Sequence, residues 1–178
     1  MPTILGANTE SAAYEVSNSV RYNDDDSPEL SKAPSSASNR RTWTWSCWIK
    51  RSNISAFNVW GAGNNVDDRI HFDFNTDGDF QSEAKISGSE VMKLTGTQQL
   101  RDVAAWYHIV VRVDTTQATS GDRLRLYVNG TQETSFSTET QPSQNADTDM
   151  TGTHTVGAFH NGGSPTSYFD GLMTHYVF

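Results

Sequence analysis

The chain has 178 residues, 35% of them hydrophobic and 11% aromatic, with a formal net charge of −8 and a pI near 4.9. That length fits one domain, or one domain with an arm, and it can bury about two-thirds of the surface its unfolded form exposes without staples. The acidic balance argues against nucleic acid and anionic membrane surfaces, no run approaches the ~20 apolar residues of a membrane helix, and the single cysteine, Cys47, can close no internal disulfide.

Met1–Ala13 is small and polar after a short apolar start and reads as an N-terminal arm. It lacks the basic start and apolar run of a secretory signal. Tyr14–Tyr22 is the first expected strand. Asn23–Ser27, NDDDS, is an acidic turn, and Leu30–Asn39 reads as a Ser/Ala/Pro-rich loop. Thr42–Lys50 alternates cleanly, with Trp43, Trp45, Cys47 and Ile49 on one side and Thr44, Ser46, Trp48 and Lys50 on the other. Period-two alternation marks a strand buried on one face, so Cys47 is expected as a small buried apolar residue. A short strand follows around Phe57–Trp60, ended by glycines. Arg69–Phe74 sets Ile70, Phe72 and Phe74 against His71 and Asp73. Asn75–Asp79 is a turn, and Phe80–Ile86 and Val91–Leu94 are weaker strands.

Trp106–Val113 puts Tyr107, Ile109, Val111 and Val113 on one face, and Leu124, Leu126 and Val128 share a face of the next strand. Asn129-Gly130 is the preferred pair for a type I′ hairpin, where both central residues need positive φ. Gln132–Phe136 is the expected return strand, Ser137–Gly152 a long polar loop, Thr153–Phe159 a strand, Asn161–Ser167 a Gly-rich loop and Tyr168–Phe178 the last strand. No helix-period segment of useful length appears. About a dozen short strands with regular turns predict an all-β, two-sheet antiparallel sandwich.

Four groupings of residues bear on chemistry. Glycosidases with paired carboxylates on one strand need a Glu-x-Asp-x-x-Glu-like run. None is present, and Glu83, Glu90, Glu133 and Glu139 read as isolated loop or edge residues. His71 and Asp73 with His154 or His160 would complete the facial triad of a non-haem iron oxygenase; the plainer reading is two polar residues on the wet face of a strand. Asp24, Asp25 and Asp26, or Asp67 and Asp68, or Asp73, Asp77 and Asp79, could donate oxygens to calcium; the plainer reading is solvated turns. Trp48, Trp60, Phe159 and Tyr168 are the candidate sugar-stacking aromatics, each also readable as core. No nucleophile elbow and no phosphate-cradling glycine loop is present.

Ser19–Ser31, Ser35–Ser52, Arg101–Gly130 and Tyr168–Phe178, taken in order, resemble the laminin-G-like branch of the concanavalin A-like jelly rolls. In particular they resemble such domains in structural proteins of tailed bacteriophages. The resemblance spans nearly the whole chain after the arm. It implies a jelly roll over 14–178, no catalysis and a place on a virion, assembled in the bacterial cytoplasm. The expected role is a tail-fibre or tail-tip component that meets host surface glycan; the alternative is a capsid decoration protein, and the remoter one a glycan-active enzyme or metal-dependent oxygenase. The implied partners are other virion proteins and further copies of the chain, a trimer if it is a fibre. Laminin-G-like domains often hold one calcium at the sandwich rim, so calcium is the one candidate cofactor, and none is required.

Overall fold

The computed structural model describes residues 18–36, 38–148, 152–160 and 164–178. The expected arm, Met1–Ala13, and the start of the first expected strand lie outside them. The described strands are β1 (Val20–Tyr22), β2 (Leu30–Lys32), β3 (Thr42–Arg51), β4 (Phe57–Gly63), β5 (Arg69–Phe74), β6 (Asp79–Ile86) and β7 (Ser89–Gln99). They continue with β8 (Tyr107–Asp114), β9 (Leu124–Val128), β10 (Thr131–Gln132), β11 (Phe136–Thr140), β12 (Thr153–Val156) and β13 (Gly171–Val177). One sheet has the order β1-β13-β3-β8-β9-β10, the other β11-β7-β6-β5-β4-β12-β2, and neighbouring strands run antiparallel. The predicted two-sheet sandwich is what forms.

Alternation builds the core. Trp45, Cys47 and Ile49 of β3 and Ile109, Val111 and Val113 of β8 face Trp60, Ile70, Phe72 and Phe74 across the gap, all with no exposed surface. The rings interlock: Trp45 meets Phe72 edge-on at 5.0 Å, and Trp60 lies 4.9 Å from Phe72. Truncating one such ring costs about 3–5 kcal/mol, because the cavity left behind relaxes only in part. Burial pushes the Cys47 thiol up to about 12, so it stays a neutral packing group. Asn129 and Gly130 take φ of 51° and 80°, as the type I′ hairpin requires. The Asn129 side chain also accepts the His108 N–H at 2.8 Å.

Several elements differ from expectation. Leu30–Lys32 is a strand, not loop, because it pairs with β12 at the sheet edge; three exposed residues carry no alternation to read. The return strand splits. Thr131–Gln132 stays beside β9, and the chain then crosses to the other sheet, where Phe136–Thr140 pairs with β7. β7 runs to Gln99, well past Leu94. β12 stops at Val156 because Gly157 has φ +85°, and a Cβ there would sit 2.2 Å from the Tyr22 ring. The seven residues of β4 are all buried, since its outer face is covered as well as its inner one.

Candidate functional site

A groove opens where β2 and β12, at one end of the seven-stranded sheet, meet the end of β13 in the other sheet. Register fixes what lines that opening. Leu30 of β2 sits opposite Val156 of β12, and Lys32 sits opposite His154. Alternation therefore puts these four on one face, while Ser31 and Thr155 take the other. The facing wall is the end of β13. There the pairing slips between Thr174 and Val177, with His175 at φ 49°, and the slip packs Tyr176 against the core. The Tyr176 ring meets Trp45 at 6.2 Å. Burial raises the pKa of its hydroxyl, and the indole N–H groups of Trp45 and Trp60 oppose that rise. Phe178 stacks on Trp60 at 5.4 Å and meets His154 edge-on at 5.3 Å.

The result is a groove of about 510 Å³, lined also by Pro34, Ser36 and Ser38. A recess of about 220 Å³ adjoins it past Leu30, Val156 and Tyr176, toward Val20 and Met173. Leu30 and Phe178 remain 55% and 43% exposed, so apolar surface faces solvent here. A ligand pocket has this character: apolar and aromatic walls with a few polar groups. The chain carries 21 acidic residues, yet none of the described residues lining the groove or the recess is acidic.

A second polar assembly lies on the outer face of the seven-stranded sheet. Glu83 of β6 accepts from Lys93 Nζ at 2.9 Å and from Arg69 Nη2 at 3.2 Å. Burial alone would raise its pKa; the Lys93 hydrogen bond and the surrounding positive charges outweigh burial and hold it below the usual value. Beside it, His71 Nε2 lies 3.5 Å from Asp73 Oδ1, which also accepts from Gln81 at 3.3 Å. Burial pushes Asp73 up to about 7 and His71 down to about 4, so near neutral pH the imidazole is uncharged and the carboxyl keeps its proton far more readily than a solvated one. Phe159 covers this assembly, its ring 5.1 Å from that of His71 and 5.6 Å from the Arg69 guanidinium. Gly61 leaves room for it: a Cβ there would approach the Phe159 ring at 3.3 Å.

The sequence-expected residues fall in scattered places. Trp60 is fully buried beneath Phe178 and cannot present a stacking face, so it is corrected to core. Trp48 is half-buried on the outer face of the other sheet, stacked on His108 at 4.9 Å. Phe159 covers His71, and Tyr168 donates to the Pro165 carbonyl at 3.0 Å. These aromatics do not converge on one surface. Asp24, Asp25 and Asp26 form one 3-10 turn, where Asn23 donates to Asp26. Asp67 and Asp68 sit in another turn, where Asp68 accepts the Ser87 N–H at 2.8 Å. Asp73, Asp77 and Asp79 separate: Asp73 is on a strand, while the Asp77 and Asp79 N–H groups donate to Asn75 Oδ1 at 2.9 and 3.0 Å.

Among the described residues no three His, Cys, Asp or Glu side chains come together to hold a metal. Among the described residues, then, neither the aspartate sets nor His71 with Asp73 gathers a third such side chain. His154 shares the groove face with Lys32, whereas His71 projects from the opposite face of the sheet. Glu83, expected as an isolated loop or edge residue, is instead the centre of an ion cluster. The groove residues Leu30, Lys32, Tyr176 and Phe178 were missed. Only the exposed apolar side chains of an edge segment and of the chain's last strand could have flagged them.

No curated protein sequence matches the chain. Among solved structures, the Ruminococcus gnavus IT-sialidase CBM40 superposes with TM-score 0.58 at 15% identity, covering 78% of this chain and 77% of that one. Mouse laminin alpha1 domains LG4-5 give TM-score 0.63 at 11% identity over 89% of this chain and 40% of that one. A heptameric SAP-like pentraxin from Limulus polyphemus gives 0.54 at 14%, over 76% and 62%. At such identities the likeness is one of fold. The Laminin_G_3 family model, described as the concanavalin A-like lectin/glucanases superfamily, matches residues 24–177, and the chain belongs to that family.

Proposed function

We propose that this chain is a non-enzymatic glycan-binding module of a tailed-bacteriophage particle, a tail-fibre or tail-tip component that meets host surface glycan. One observation carries the glycan reading: the 510 Å³ groove, with Tyr176 and Phe178 for the apolar face of a sugar and Ser36 and Ser38 for its hydroxyls. The like-folded sialidase carbohydrate-binding module supports it. The phage placement rests on the four resembling segments, Ser19–Ser31, Ser35–Ser52, Arg101–Gly130 and Tyr168–Phe178. Neighbouring virion proteins and further copies of the chain, three in a fibre, are the partners this reading requires.

A glycan array probed with the full chain tests the module. Binding is expected, with the arrayed sugars unchanged in mass afterwards. Leu30→Asp, at an exposed groove position, should abolish binding and leave the unfolding free energy within about 0.5 kcal/mol of wild type. Binding that survives Leu30→Asp would move the site elsewhere. Released sugar would overturn the non-enzymatic reading. A cryo-EM map of whole particles tests placement: density at the tail supports it, density on the shell favours a capsid decoration protein, and absence from the particle overturns the virion reading.

A further inference from the structure

We propose that the groove is selective for an anionic sugar that bears an apolar substituent, such as a carboxylated, N-acylated monosaccharide. Its carboxylate would meet Lys32 and its acyl group would lie over Leu30 and Val156. This rests on the glycan reading above and names the ligand class for that same site.

The groove has a direction, and register sets it. Lys32 and His154 form one cross-strand row, and Leu30 and Val156 form the next. One end therefore carries the Lys32 ammonium and the other is aliphatic, two strand positions or about 6.6 Å apart, which is the reach between two substituents on one sugar ring. Past the aliphatic row the recess deepens toward Val20 and Met173, so an acyl methyl has apolar wall to cover. Burying such a group is worth about a severalfold gain in affinity.

Charge points the same way. A chain of net charge −8 repels anions at long range, although that repulsion is screened beyond about 8 Å at physiological salt. Against that background, the described lining holds the Lys32 ammonium and no carboxylate. A groove for a neutral sugar has no need to exclude acids, since carboxylates are good acceptors for sugar hydroxyls. Lys32 offers a compact point charge rather than the flat fork of an arginine, which suits one carboxylate oxygen held beside hydroxyl partners such as Ser36 and Ser38.

Titration calorimetry of the full chain with three probes tests the assignment. N-acetylneuraminate has both the carboxylate and the acyl group, glucuronate only the first, and N-acetylglucosamine only the second. N-acetylneuraminate should bind about tenfold more tightly than either other sugar, and its advantage should shrink as salt is raised. In Lys32→Glu, an exposed position, N-acetylneuraminate should fall to the level of N-acetylglucosamine or below, with the near-UV spectrum unchanged. If N-acetylglucosamine equals N-acetylneuraminate and Lys32→Glu alters neither, the anionic assignment is overturned while glycan binding stands. If none of the sugars binds but octanoate does, the groove is an amphiphile site and both readings fall. If Ile4→Asp with Leu5→Asp strengthens binding severalfold, the chain's own start is the groove's occupant and the proposal is overturned.

Discussion

The outer faces of the two sheets follow the same alternating pattern, yet the charged centre of one is covered more fully than that of the other. On the seven-stranded sheet Arg69, His71, Asp73 and Glu83 have side chains only 16%, 12%, 17% and 8% exposed. On the six-stranded sheet Arg112 and Arg125 keep 33% and 30%. The difference is that Phe159, from the segment after β12, lies over the first face. A polar residue opposite an apolar one does not announce whether water reaches it; a later segment decides that. The largest test of the comparison is Glu83→Ala. It strands Lys93 and Arg69 without their shared carboxylate, and breaking a buried pair in this way costs about 3 kcal/mol. Urea unfolding should show that loss, with Glu83→Gln milder. An equivalent cut on the less covered face, Asp122→Ala beside Arg125, should cost about 0.5 kcal/mol or less. Equal losses would erase the distinction between the faces.

The next effect separates His71 from Asp73 by the sign of a slope. The folded Asp73 carboxyl, at about 7, lies above its ordinary 3.8, so the folded chain holds that proton more tightly than the unfolded one. Its contribution to stability falls as pH rises from about 4 to about 7. The folded His71, at about 4, lies below its ordinary 6.5. Here the unfolded chain binds the proton more tightly, so stability rises over the window from 4 to 6.5. The two slopes oppose, and wild type should be nearly flat between them. Asp73→Asn should unmask stability that climbs with pH and should gain on the order of 2 kcal/mol at pH 7–8. His71→Gln should unmask stability that declines. Denaturant midpoints measured from pH 4 to 8 would show it; parallel curves for the two variants would mean the face is wetter than its geometry says.

Local chemistry made much of this molecule readable. β3, β5, β8 and β9 announce themselves because alternation and the Asn129-Gly130 turn are properties of neighbouring residues. β2 and β11 do not, because what makes them strands is a partner far along the chain, β12 for one and β7 for the other. The site was less legible for the same reason. Trp60 sits before a glycine and looks like a loop aromatic, but Phe178 stacks on it and seals it into the core. Lys32 and Leu30 lie in a stretch with no periodicity, and only pairing with β12 turns them toward the groove. Glu83 reads as a lone acid until two antiparallel partners bring Arg69 and Lys93 beside it.

The smallest effect belongs to the less covered face. Trp48 and His108 are cross-strand partners in β3 and β8, stacked at 4.9 Å and 22°. Such a pair is worth about 1 kcal/mol beyond its area, so Trp48→Ala should cost somewhat more than that, yet clearly less than Glu83→Ala. The imidazole supplies an independent readout. Desolvation holds the His108 pKa below 6.5, and the Trp48 ring is the group stacked on it. Removing that ring lets water back, so the His108 titration midpoint in NMR should move up toward 6.5. Because the folded value lies below the unfolded one, His108 adds stability as pH rises toward 6.5, and Trp48→Ala should flatten that rise. A midpoint that does not move would mean the strand backbone, not the tryptophan, dries His108. The six-stranded face would then owe its partial burial to the sheet alone, and the Trp48 ring would contribute packing to the His108 stack without drying it.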